Sequence, residues 1–272
     1  MTDCFTACEA LVRQHDPDRW LAALFAPAAK RPFLFALYAF NHEIAHIAEI
    51  VRQPMLGEIR LQWWRETVEQ AREGRPREHD VARALTATFA ANELPFALFD
   101  SMLDARVFDS SEETFDTLES LEAYCDATSG NLMRLAALVL GGGDAPSRDA
   151  GLAYAITGIL RAIPFHAARG KLFLPLSMLD GLPPEDAVTH NAGERMRPAI
   201  AHLAAHAAGH YAAARALPKP GASLPAFLTA ATVPSYLKRL RRPAFDPFRD
   251  TTDIALYRRQ LAMLRAGLTG RV

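Results

Sequence analysis

The sequence predicts an all-α fold, and three observations carry the prediction. Apolar residues recur at three- and four-residue spacing along nearly all of the 272 residues. The alternating Val/Ile/Thr runs of half-buried strands do not occur. Pro27, Pro32, Pro54 and Pro95 fall at the starts of apolar-periodic stretches, where a missing N–H is harmless to a helix.

Taken in order, the periodicity predicts a first helix over 3–14, with Cys4 and Cys8 on one face, and a second over 17–26. Helix 30–51 is apolar nearly all round, which places it inside a large core. Helices over 54–73, 79–92 and 95–108 follow, two of them opened by proline. The next, 117–141, contains the all-round apolar stretch 129–140 and ends at Gly141-Gly142-Gly143-Asp144. That glycine run follows a helix and not a strand, so it does not read as a phosphate-cradling loop. Helix 147–163 runs into Pro164, and Leu182-Pro183-Pro184-Glu185-Asp186 marks a further break. Helix 195–216 ends near Pro218-Lys219-Pro220-Gly221, and helices 222–242 and 252–268 complete the chain. A helical shell around two central helices is the simplest architecture. A length prior of about 150 residues per domain suggests two domains. No linker divides the chain, so one domain over 1–272 is expected.

Composition narrows the functional classes. Net charge is −1 and the pI about 6.8, without the basic face that nucleic-acid binding requires. Three cysteines make no disulfide framework, which suits a reducing compartment. No apolar run approaches the ~20 residues that span a bilayer. The first residues lack the basic-then-apolar pattern of an export signal and the Arg/Ser richness of a transit peptide. A cytoplasmic protein, or one reaching a membrane from that side, is expected.

Five segments, in order, resemble the squalene/phytoene synthase family: Ala36-Leu37-Tyr38-Ala39-Phe40, Leu61-Gln62-Trp63-Trp64-Arg65, Tyr124-Cys125 with Ser129-Gly130, Ile159-Leu160-Arg161, and Arg169-Gly170-Lys171-Leu172-Phe173-Leu174-Pro175. The resemblance spans residue 15 to the C-terminus. It implies an isoprenoid-synthase-type helical bundle around a central apolar cavity. Active members fuse two prenyl diphosphates head to head. Magnesium ions, held by carboxylates of two facing helices, neutralise the departing diphosphate. One cluster reads Asp-Asp-x-x-Asp and the other Asp-x-x-Glu-Asp, spacings that put each on one helix face.

In this chain the first cluster's positions hold Ala45, His46 and Glu49, and the second's hold Ala162, Phe165 and His166, so one carboxylate of six remains. Alanine, phenylalanine and imidazole supply neither the charge nor the oxygen donors that Mg²⁺ requires. Pro164 adds a break or kink inside the second motif. A lost magnesium site, no cofactor and no metal are therefore expected.

The altered motifs Phe40-Asn41-x-Glu43 and Leu160-Arg161-Ala162-x-Pro164-Phe165-His166, with His15-Asp16 and Phe33-Leu34-Phe35-Ala36-Leu37, resemble one branch of the family. That branch comprises the mitochondrial assembly factors for respiratory complex I (NADH:quinone oxidoreductase). The resemblance implies a non-catalytic protein working at the inner membrane, on the matrix side in organellar relatives. Complex I subunits or assembly intermediates, a lipid or isoprenoid ligand and peripheral membrane contact are the partners it implies. A divergent squalene/phytoene-type prenyl-diphosphate synthase is one rival reading. A lipid- or isoprenoid-binding protein without a link to complex I is another.

Several side chains are candidates for the inherited cleft. His42, Glu43, His46 and Glu49 form a polar stripe, and Glu43-x-x-His46 has di-metal bundle spacing but no second copy. His166 reads as a cleft hydrogen-bonder, as a cation for an anionic head group, or as a helix-terminal histidine, the last being favoured. For Arg161, Arg169 and Lys171, anion binding and structural ion pairing stay open. Arg65 and Tyr124 join the list through the family segments, whereas Trp63 and Trp64 read as packing. Tyr236-Leu237-Lys238-Arg239-Leu240-Arg241-Arg242 suits a membrane surface or, preferably, a solvated face. His202, His206 and His210 recur every four residues among alanines with no acid near in sequence, so an exposed helix face is expected.

Overall fold

The computed structural model describes residues 4–51 and 53–272, and among these every regular element is helical. Helices α1 (Cys4–His15), α2 (Pro17–Ala23), α3 (Arg31–Ile50) and α4 (Pro54–Arg72) come first. Next are α5 (Asp80–Ala91), α6 (Phe96–Ser110), α7 (Leu118–Cys125), α8 (Asn131–Val139) and α9 (Ser147–Arg161). Then follow α10 (Ile163–Ala167), α11 (Pro184–Ala187), α12 (Gly193–Ala216), α13 (Val233–Leu240) and α14 (Leu256–Thr269). No helix among the described residues is long and apolar enough to cross a membrane.

Local chemistry explains the starts. Asp16 caps α2 by accepting the Arg19 N–H at 3.0 Å, with Pro17 in the first turn. Thr117 and Ser120 form a reciprocal capping box at α7. Central α3 is buried on all sides from Leu34 to Phe40 and becomes amphipathic only beyond Asn41. It packs against α1, α4, α5, α6 and α8. Helix α9 is the second axis, set between α8 and α12. The α3 and α9 cores are separate buried clusters, and Tyr154 touches both.

Two departures from the sequence reading matter, and so does a break that Pro164 led it to expect. A π-helical turn, Asp126–Gly130, joins α7 to α8. Its wide coil lets α9 approach so closely that a Cβ on Gly151 would lie 2.6 Å from Gly130 Cα. The predicted helix 222–242 is a buried 3₁₀ segment, Gly221–Thr232, followed by α13. Finally, the helix predicted to run to 163 breaks at Ala162 (φ −90°, ψ 4°) and restarts as α10, with Pro164 in its first turn. Pro164 has no N–H to continue the ladder, which accounts for the break.

The chain's two ends are tied together. Arg259 of α14 donates to Asp18 of α2 at 2.7 Å, while Met263 and Ala266 pack with Leu228 of the 3₁₀ segment.

Candidate functional site

Between the C-terminal half of α3, the end of α6, the π turn and the α9–α10 corner lies an open cavity of about 800 Å³. That volume falls in the range of small-molecule sites. Ala45, Ala48 and Glu49 come from α3, and Arg106 and Asp109 from α6. The π turn supplies Thr128 and Ser129, and the end of α7 supplies Tyr124. Tyr154, Gly158, Ile159 and Arg161 come from α9, and Ala162, Phe165, His166, Arg169, Lys171 and Phe173 from the corner. Phe165 is 42% exposed at the edge and does not plug the space.

Both altered clusters therefore face one volume, as their spacing requires. Ala45 and Glu49 line one wall, and Ala162, Phe165 and His166 the other. His46 turns aside, its Nδ1 3.0 Å from Glu49 Oε2 at a largely exposed position. Glu49 is thus already engaged, and the wall opposite offers an alanine, an aromatic ring and an imidazole. This donor set does not fit Mg²⁺.

Besides Glu49, the lining carries the cations Arg19, Arg106, Arg161, Arg169 and Lys171 and the carboxylates of Asp109, Glu112 and Glu113. Arg19 bonds Asp16 at 2.5 Å and lies over the rings of Tyr38 and Tyr154. Burial opposes its charge, but the Asp16 carboxylate offsets that and holds its pKa up. Arg106 donates to Asp109 and to the Tyr124 hydroxyl, both at 2.9 Å, and that hydroxyl donates to Asp109 at 2.7 Å. Arg161 stacks 3.7 Å from the Tyr236 ring centroid. Arg169 stacks on Phe165 at the same distance. Lys171 donates to the carbonyls of Phe108, Ser111 and Glu113 at 2.7–2.8 Å, closing the end of α6. Burial pushes its pKa down to about 8, so the ammonium persists at neutral pH.

Three buried polar atoms on this wall, Arg106 Nε, Ser129 Oγ and Arg161 Nε, have no partner within the protein. Two are fixed donors and the third is a hydroxyl, and all three are buried behind the cavity surface.

His166 is not the cation that one sequence reading allowed. Burial, followed by repulsion from Arg169 and Lys171, outweighs the pull of Asp109 and lowers its pKa to about 4. At pH 7 it is a neutral ring against Phe173, 4.3 Å between centroids. Two other candidates stand outside the cavity lining. His42 stacks on His15 at 4.4 Å, and burial followed by the neighbouring histidines lowers its pKa. Arg65 bridges α4 to α6 through Asp100 and Asp104. Trp64 is core, as expected, and Trp63 sits at the surface under the Arg77 guanidinium.

The 236–242 stretch buries its apolar face, Tyr236, Leu237 and Leu240, and turns Lys238, Arg241 and Arg242 to solvent. The histidine stripe of α12 is a correction. His202 is exposed, but His206 and His210 are half-buried against Glu122 and Asp149, acids supplied by α7 and α9. Sequence reasoning also missed Arg19, Arg106 and Asp109. The available signal was the Arg106–Asp109 pair, three residues apart across the end of the predicted helix 95–108.

Fold and cavity together define a helical bundle of the isoprenoid-synthase class. A sequence profile described as squalene/phytoene synthase matches residues 12–265, and the chain belongs to that family. Human NADH dehydrogenase (ubiquinone) complex I, assembly factor 6, is 32% identical over 249 residues, covering 89% of this chain and 75% of that protein. The phytoene synthase of Arthrospira platensis is 24% identical over 296 residues, covering 100% of this chain and 94% of its own. A ligand-bound dehydrosqualene synthase superposes with a TM-score of 0.84 at 19% identity, covering 98% and 96% of the two chains. At that identity the likeness speaks for the fold alone.

Proposed function

We propose that this protein is a non-catalytic member of the squalene/phytoene synthase family that promotes assembly of respiratory complex I. One observation carries the reading: the cavity is retained while the walls that would hold magnesium present Ala45, Ala162, Phe165 and His166. The identity to the human assembly factor supports complex I or its assembly intermediates as the partner. The cavity, with Arg161, Arg169 and Lys171 in its lining, favours a bound amphiphile, an isoprenoid or lipid with an anionic head, as part of that task. Ile50, Met55, Leu56 and Ile59 are exposed beside the rim residues Val51 and Pro54. They favour peripheral contact with the inner membrane, from its cytoplasmic side or from the matrix in an organelle.

The test is deletion of the gene in the native host, reading NADH:quinone oxidoreductase activity and assembled complex I on native gels, with succinate oxidation as control. Selective loss of complex I, restored by a copy carrying Glu49→Ala, is the expected result. Normal complex I in the deletion strain refutes the assembly role. Purified protein with farnesyl or geranylgeranyl diphosphate and Mg²⁺ tests catalysis separately. Diphosphate release at ~1 s⁻¹ or faster, the usual enzyme range, reinstates the synthase reading.

A further inference from the structure

Outside the cavity lining, α7, α9 and α12 bring four metal-capable side chains to one place. His206 Nε2 and His210 Nε2, one helical turn apart, are 3.2 Å from each other. Both meet the same oxygen, Glu122 Oε1, which is 3.2 Å from His210 and in close contact with His206. The three candidate ligand atoms lie within 4.8 Å of one another. Arg148 takes the other oxygen, Glu122 Oε2, at 3.1 Å, leaving Oε1 turned to the histidines. Asp149 Oδ1 is 2.7 Å from His210 Nδ1.

Proton bookkeeping makes this cluster unusual. In the tautomer whose Nδ1–H bonds Asp149, His210 points a lone pair from Nε2 at the others. Glu122 Oε1 also presents lone pairs, and a single proton on His206 Nε2 satisfies only one contact. Three electron-rich atoms thus converge, an arrangement completed by a further positive charge, either a second ring proton or a bound cation. Bonds of about 2.0–2.2 Å around a tetrahedral ion separate its ligands by roughly 3.3–3.6 Å, close to the two His210 contacts, while the His206–Glu122 pair would have to open to admit the ion. A carboxylate on the far nitrogen is also the usual support of a metal-bound imidazole.

We propose that Glu122, His206 and His210 form a binding site for a divalent transition cation of the Zn²⁺ type, oriented by Asp149, which pins α12 to α7 and α9. Imidazole donors select such an ion over Mg²⁺. The site is independent of the cavity and of the assembly role.

The test uses the full-length, tag-free protein stripped with EDTA. Zn²⁺ is titrated in competition with a chromophoric chelator, and Co²⁺ is added separately to read its visible d–d bands. About one equivalent should bind, with four-coordinate Co²⁺ bands and a raised melting midpoint. His206→Ala and His210→Ala should each weaken binding at least ~100-fold, and Asp149→Asn by about 10–100-fold. His202→Ala, one turn away and exposed, should bind as the wild type does. Absence of Co²⁺ bands and of Zn²⁺-dependent stabilisation in the wild-type protein overturns the proposal whatever the variants do. Binding that survives the His206→Ala/His210→Ala double substitution overturns it equally.

Discussion

His166 shows how a single position changes its chemistry when its surroundings change. In a solvated cleft an imidazole titrates near neutrality, but here burial and two neighbouring cations lower its pKa to about 4. The unfolded chain, with an ordinary histidine near 6.5, binds the proton first as pH falls. Stability is therefore unaffected above pH 6.5 and is lost progressively as pH drops from 6.5 towards 4. The loss is on the order of 2 kcal/mol after allowance for partial exposure. His166→Gln should flatten that part of the profile, measured as urea midpoints at pH 7 and pH 4.5. A slope unchanged by the substitution would assign the acid sensitivity elsewhere. The positions that matter at this scale, Ala45, Glu49, Ala162, Phe165 and His166, were legible because helical spacing puts each cluster on one face. Which way His166 titrates was not, since burial comes from Phe173 and the α9–α10 corner.

Among the helices, the contact of α9 with the π turn is the tightest constraint. A glycine-to-alanine change inside a helix ordinarily stabilises by about 0.5–1 kcal/mol. Gly209 of α12 has open space around its missing Cβ and should behave that way. Gly151 should reverse the sign, because its Cβ would strike the backbone of Ser129 and Gly130 and not a movable side chain. Overpacking there should cost about 1–3 kcal/mol. Thermal melts of Gly151→Ala and Gly209→Ala should shift in opposite directions, and a common direction would remove the close-crossing argument. Helix positions were readable from apolar period and proline placement to within a few residues at most ends. The π turn and the 3₁₀ segment were not, because both preserve apolar spacing and differ only in how tightly the chain is wound. The partners of His206 and His210 were hidden for another reason: Glu122 and Asp149 lie more than fifty residues away in sequence.

Across the whole molecule, two features set behaviour. The Asp18–Arg259 pair joins segments 241 residues apart and is largely buried. Asp18→Ala strands the guanidinium and should destabilise by about 2 kcal/mol, lowering the melting midpoint by roughly 5 °C. An unchanged midpoint would mean that the α14 contacts hold the ends unaided. The cavity sets the second expectation. Farnesyl diphosphate should bind equally well in EDTA and in Mg²⁺, since neither altered motif keeps a set of metal ligands, and Arg161→Ala should weaken binding about tenfold or more. Calorimetric titration distinguishes this from a metal-dependent site, where EDTA would abolish the heat.

The break at Ala162 bears on how reversible this chain's chemistry is. Ala162 is the N-cap of α10 and its carbonyl accepts the His166 N–H at 2.9 Å, so positions 162, 165 and 166 still share one turn and one cavity wall. Acids put back there would face the same space that the motif needs, even with Pro164 among them. On the proposed non-catalytic reading, what bars a return is the number of acids to be regained together and not the path of the backbone.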